Sequence, residues 1–222
     1  MQNVNSDDYL AALGFVQWVN RDRSSTSLDE APEKRTGSTA DFLQQLAARV
    51  ESCRKCSLYS GRRNSVCGEG HPEADWLFIG EAPGAEEDRL GVPFVGRAGQ
   101  LLNSMIIALD LTRTDTYITN VLKCRPPENR NPKDDEVQEC ELYLHQQIEF
   151  IRPRIIVALG KFAAQTLLKS SKPIGKLRGD VHSYSQFNIP LIATYHPAYL
   201  LRSPIEKRKV WQDLVLAKSS LT

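Results

Sequence analysis

Four short apolar runs punctuate the chain: WLFIG (76–80), TYITNVL (116–122), RIIVALG (154–160) and PLIATYH (190–196). They are rich in β-branched residues and lack the alternation of a half-exposed strand, which predicts strands buried on both faces. Between them apolar positions recur at helical spacing over 97–110, 134–151, 161–170 and about 204–217. A further helix is predicted from STADFLQQLAARV, with Ser38 in the capping position. Strands alternating with helices imply a parallel sheet covered on both faces, and in such sheets ligands bind beyond the carboxyl ends of the strands.

The pattern breaks down over residues 20–40, NRDRSSTSLDEAPEKRTGSTA, which hold almost no large apolar side chain and read as a linker. Ahead of it, Tyr9, Leu10, Leu13, Phe15, Val16 and Trp18 fit one short helix that could dock on the main domain or meet a protein partner. The expected division is therefore an N-terminal extension, 1–37, and a main domain, 38–222.

Composition adds limits. At 222 residues, 41% hydrophobic and 25% charged, the chain is an ordinary globular one. Its start has no basic, then apolar, leader, and no apolar run approaches the roughly 20 residues of a membrane helix, so the expectation is a cytoplasmic protein with no membrane role. Five cysteines, an odd number, without an export signal argue against a disulfide framework and for metal, redox or buried thiols. The formal charge of +1 combines −2 over residues 1–40 with +3 over the remainder. Basic side chains gather at Arg54, Lys55, Arg62 and Arg63, at Lys123, Arg125, Arg130 and Lys133, and at Arg202, Lys207, Arg208 and Lys209. Such loop clusters either track phosphates or are solvated surface.

The strand ends carry the candidate chemistry. The first strand runs into GEAPG, Gly80 to Gly84, a tight turn that admits close backbone approach, with Glu81 as its one reactive side chain. It is neither a Walker loop nor GxGxxG, so no nucleotide cofactor is expected. Phe94, between Pro93 and Val95, is either a hydrophobic plug or a stacking platform. In TYITNVLKCRPP (116–127) an amide, Asn120, and a thiol, Cys124, interrupt an otherwise apolar strand. His196, at the end of the last strand, suits a hydrogen-bond donor or general acid. Tyr199, Leu200, Leu201 and Arg202 set an aromatic, two apolar groups and a cation in a row, a combination fit to wedge into a base stack while gripping phosphate. Cys53 and Cys56 form C-x2-C, whereas Cys124 and Cys140 are far apart. Four convergent thiolates suit zinc or an iron–sulfur cluster, and the spacing leaves both open. Cys67 reads as a small buried hydrophobe.

Together GEAPG (80–84), GVPFVGRAGQLLN (91–103), TNVLKCRPPENRNP (119–132), HPAYLLR (196–202) and the four cysteines closely resemble the family 4, iron–sulfur, uracil-DNA glycosylases, over about residues 40–217. The resemblance implies a three-layer α/β/α fold around a four-stranded parallel sheet and a 4Fe–4S cluster on Cys53, Cys56, Cys124 and Cys140. It implies removal of uracil from single- or double-stranded DNA as the first step of base excision repair. It further implies that Gly80, Glu81 and Ala82 border the uracil pocket, that Phe94 stacks on the base, that Asn120 pairs with its edge and that His196 reaches its O2. Glu87 is expected near the base's C5, where it would crowd out a thymine methyl.

Elementary chemistry agrees with these roles. Uracil inside a duplex must be flipped out before its glycosidic bond can be attacked. Breaking that bond places negative charge on the departing base, which a neutral His196 could stabilise as a preorganised donor. Asn120 offers a donor and an acceptor matching O4 and N3–H of uracil, the reverse of what cytosine presents. Ala82 stands where the best-known branch of the superfamily has a water-activating Asp, so a dissociative reaction is expected, with Glu81 orienting the water. SPIEKRKVW, after HPAYLLR, contains no histidine to trap DNA covalently, so turnover is expected. The rival reading is a non-catalytic iron–sulfur DNA-binding module acting with a repair or replication partner.

Overall fold

The computed structural model describes residues 38–221. The expected N-terminal helix and linker lie outside the described residues, apart from the last positions of the linker. Helix α1 (Thr39–Glu51) starts where expected, because Ser38 Oγ accepts the Asp41 N–H at 3.2 Å while Asp41 accepts the Ser38 N–H at 3.1 Å. This reciprocal cap satisfies two donors that a helix start leaves open.

The chain then forms β1 (Glu69–Gly70), β2 (Trp76–Gly80), α2 (Ala85–Leu90), α3 (Arg97–Ile107), β3 (Thr116–Asn120), α4 (Asp134–Ile151), β4 (Ile155–Leu159), α5 (Lys161–Leu168) and α6 (Ile174–Leu177). It ends with β5 (Val181–Tyr184), β6 (Ile189–Thr194), α7 (Pro197–Arg202) and α8 (Lys207–Ser219). The sheet has six strands in the order β1-β3-β2-β4-β6-β5. Its four central strands are mutually parallel and are the four read from the sequence, while β1 and β5 add antiparallel edges.

Adjacent strand residues point to opposite faces, and the core divides accordingly. Leu77, Ile79, Ile156, Ala158, Leu191 and Ala193 pack with residues of α1, α4 and α5. Trp76, Phe78, Ile155, Val157 and Ile192 pack with residues of α3 and α8. The three-layer α/β/α architecture follows. No helix among the described residues is long and apolar enough to cross a membrane.

Parallel pairing aligns the strand ends. Gly80 lies opposite Asn120 in register, and the pairing continues past both strands, with the Val121 N–H donating to Gly80 O and the Leu122 N–H to Glu81 O, each at 3.0 Å. GEAPG and the residues after Asn120 are thereby stitched together at one end of the sheet.

Candidate active site

At that end the last residue of β3 and the residues following β2 and β6 bring Asn120, Glu81 and His196 into one cleft of about 530 Å³, lined also by Ala82, Glu87, Phe94, Tyr199 and Arg202. The volume lies within the range of roughly 300–1,000 Å³ usual for small-ligand sites. Gly80 backs the cleft: a Cβ there would lie 2.3 Å from Asn120 Oδ1 and 2.6 Å from Phe94 Cζ, so only glycine lets amide and ring approach.

Asn120 is 2% exposed, and its Oδ1 accepts no hydrogen bond from any described residue. An unmade hydrogen bond at a buried acceptor costs about 1–3 kcal/mol. A native fold that carries this cost in a ligand-sized cleft has a place for a donor supplied from outside.

His196 caps α7, and the Ala198 N–H donates to its Nδ1 at 3.1 Å. Nδ1 is therefore the acceptor nitrogen and the ring proton sits on Nε2. Enclosure of the ring, and secondly the charge of Arg202, lower its pKa to about 4, although Glu87 acts the other way. At neutral pH the side chain is a neutral N–H donor. Its ring centroid lies 5.5 Å from that of Phe94. Gly160, at φ +93°, makes room behind it, since a Cβ would meet the histidine Cβ at 2.9 Å. Burial raises the pKa of the Glu81 carboxyl.

The Glu87 carboxylate is already engaged. It accepts the N–H groups of Gly84 at 3.1 Å, Val95 at 3.0 Å and Gly96 at 3.2 Å, tying GEAPG to the loop that carries Phe94. Of the expected wedge, Tyr199 and Leu201 are exposed and Arg202 is exposed beside them, but Leu200 is 1% exposed and packs in the core. Successive helical residues turn away from one another, so four in a row cannot share a face. Lys123 also departs from its basic cluster: it is 1% exposed and cannot track phosphate.

The cleft has a rim of Pro126, Asn129 and Asn131, which had no assigned role in the sequence, and Arg130, read there only as part of a basic cluster. Asn129 holds a left-handed backbone at φ +54°. Arg130 grips Glu136 of α4 through two hydrogen bonds, of 2.9 and 2.5 Å. The CRPPENRNP stretch signals a turn through its Pro and Asn content, but which cleft it borders depends on where the sheet places it.

Cys53, Cys56, Cys124 and Cys140 line a second cleft together with Arg62 and Lys123. Arg62 Nη1 donates to Cys124 Sγ at 2.9 Å, and the Lys123 backbone N–H to Cys140 Sγ at 3.3 Å. Burial, opposed by the neighbouring cysteines, lowers the Lys123 pKa to about 8. Burial also pushes the Cys140 thiol up to about 12 and raises Cys56 and Cys124. Four thiols with a guanidinium and a backbone N–H donating to two of them suit a thiolate-bound group of net negative charge. Among the described residues no three His, Cys, Asp or Glu are drawn together as around a single metal ion. Cys67 is buried apart from this cleft, with Gln147 Nε2 at 3.4 Å from its Sγ.

The fold and cleft have relatives. Residues 67–215 match the Uracil DNA glycosylase superfamily, and the chain belongs to that superfamily. Within it the sequence is 45% identical over 170 residues to the type-4 uracil-DNA glycosylase of Archaeoglobus fulgidus, covering 74% of this chain and 85% of that protein. It is 43% identical over 189 residues to the type-4 enzyme of Saccharolobus solfataricus, covering 82% and 88%, and 42% identical over 182 residues to that of Thermotoga maritima, covering 81% and 94%. Its place is in the type-4 branch.

Proposed function

We propose that this protein is a monofunctional uracil-DNA glycosylase that flips uracil out of DNA and hydrolyses its N-glycosidic bond, leaving an abasic site for base excision repair. The observation that carries the reading is the open acceptor, Asn120 Oδ1, buried in the cleft without a partner among the described residues. Uracil brings the missing donor, N3–H. Cytosine presents a lone pair at that position and leaves the acceptor open, a mismatch worth about 10⁴–10⁵ in discrimination.

In this reading Tyr199 and Leu201 enter the gap in the stack while Arg202 holds phosphate. The base lies against the Phe94 ring. As the glycosidic bond lengthens, charge gathers on uracil O2, and His196 Nε2–H donates to it. A neutral donor needs no change of protonation at that moment, which is what the low pKa supports. The sugar becomes oxocarbenium-like before water adds, with Glu81 as the group that orients it. The range of bases accepted would include uracil first, with hypoxanthine and xanthine as the deaminated bases to try next.

Cys53, Cys56, Cys124 and Cys140 would hold a 4Fe–4S cluster. It would supply a structural cross-link between the loop after α1, the end of β3 and α4. Five free thiols support a reducing compartment, in keeping with the cytoplasm, and residues 1–37 are the segment to test for a protein partner.

Incubating purified protein with a uracil-containing oligonucleotide, then cleaving abasic sites with alkali, tests the activity. Scission at uracil is expected on both single strands and duplexes. DNA binding without scission would sink the enzyme reading in favour of a non-catalytic module.

A further inference from the structure

The loop that carries Phe94 is held from the cleft side by Glu87 and from behind by residues that do not line the cleft. Phe94 has φ +52°, a left-handed backbone that a bulky residue keeps only when its surroundings impose it. Arg113, in the turn before β3, supplies much of that constraint. Its Nη2 donates to Pro93 O at 2.5 Å and its Nη1 reaches Phe94 O at 3.5 Å. The guanidinium is itself pinned, with Nη1 on Asn103 Oδ1 at 2.9 Å and Nε on Glu69 Oε1 at 3.3 Å. The following peptide N–H groups, of Val95 and Gly96, are held by Glu87. Gly99 leaves the space this path requires, because a Cβ there would lie 1.8 Å from Phe94 O.

We propose that Arg113 is a positioning residue for base recognition: anchored on Asn103 and Glu69, its guanidinium clamps the Pro93 and Phe94 carbonyls and so fixes where the Phe94 ring stands in the cleft. The inference rests on the reading that Phe94 stacks on the flipped base. A planar fork with five donors meets two carbonyls and two anchors at once, which a lysine ammonium on the same stem cannot do. The clamp prepares the stacking surface before substrate arrives, and a displacement of the ring by about 1 Å can cost on the order of 10² in rate.

The test is single-turnover uracil excision, with affinity for an abasic-site duplex measured alongside, for Arg113→Ala, Arg113→Lys, Asn103→Ala, Phe94→Ala and the double variant Arg113→Ala/Phe94→Ala. Arg113→Ala is expected to slow excision by about 10- to 100-fold and leave abasic-site affinity within about twofold. Arg113→Lys recovers only part of the loss. Asn103→Ala, which removes one anchor and keeps the clamp, shifts the rate less but in the same direction, and it carries the test should Arg113→Ala fold poorly. In the Phe94→Ala background, itself slow, adding Arg113→Ala changes the rate by less than about twofold, because the ring it positions is gone. If Arg113→Ala slows excision equally with and without the ring, or not at all, the proposal is overturned. If Phe94→Ala excises at the full rate, the stacking reading fails and the clamp proposal falls with it.

Discussion

Asn120 and Lys123 are three residues apart, and each is at most 2% exposed, but the structure treats them in opposite ways. The Lys123 ammonium meets three acceptors: Thr119 Oγ1 at 2.7 Å, Asn120 O at 2.7 Å and Gln147 Oε1 at 2.6 Å. The Asn120 Oδ1 meets no donor among the described residues. A buried polar group that is fully matched is part of the scaffold, because any change leaves partners stranded. One left open beside a cleft is poised for a ligand. The two regions also connect, since Lys123 grips the backbone carbonyl of Asn120 with its side chain and Cys140 Sγ with its amide.

The largest expected effect lies on the open side. Asn120→Asp replaces the amide donor with a carboxylate, and we expect the uracil-to-cytosine preference, measured as a ratio of kcat/KM on matched oligonucleotides, to fall by about 10⁴. Unchanged uracil release would break the comparison outright. His196→Ala should slow the chemical step by about 10² to 10³, the usual loss for one charge-stabilising donor. A change confined to DNA affinity would reduce His196 to a helix cap.

On the closed side, Lys123→Met strands three acceptors. Chemical denaturation should show a loss on the order of 1–3 kcal/mol, with poorer uracil excision by the folded fraction as Asn120 shifts. Cys124→Ala sharpens the link between the regions: it should abolish absorbance near 400 nm in a preparation that otherwise shows it, and weaken uracil recognition too. A colourless variant that folds and excises normally would uncouple them. A further effect concerns pH. The enclosed, half-buried His196 holds a pKa of about 4 against an ordinary value of 6.5, so between those limits the unfolded chain binds the proton that the folded one refuses. Wild type should therefore lose stability relative to His196→Asn as pH falls from about 6.5 to about 4, and an identical pH dependence in the two would contradict the enclosed, neutral imidazole.

Much of the fold was legible because burial on both faces leaves unbroken apolar runs. WLFIG became β2 residue for residue, and Asp134–Ile151 became α4 at its predicted ends. The edges of the sheet were not: Glu69–Gly70 is too short to show a period, and the Val181–Tyr184 strand is half polar and half exposed. Around the cleft, Glu81, Asn120 and His196 drew notice because each is a chemically capable residue at a strand end, and Phe94 because it is an aromatic between Pro93 and Val95 in the loop before a helix. Arg113 did not, since a charged residue in a polar turn looks like solvated surface until Pro93, Asn103 and Glu69 are brought around it.

The sequence by itself determined the alternation of strand and helix, the end of the sheet at which chemistry gathers, and the residue types available there. These depend on local periodicity and on polar groups interrupting apolar runs. Tertiary structure alone decided which groups are spent and which remain free: Glu87 consumed by three backbone amides, Leu200 turned into the core, Lys123 closed in by three acceptors, and Asn120 Oδ1 left open. Hydrogen-bond satisfaction depends on partners 3 to 24 positions away in these cases, and no local pattern in the chain encodes who those partners will be.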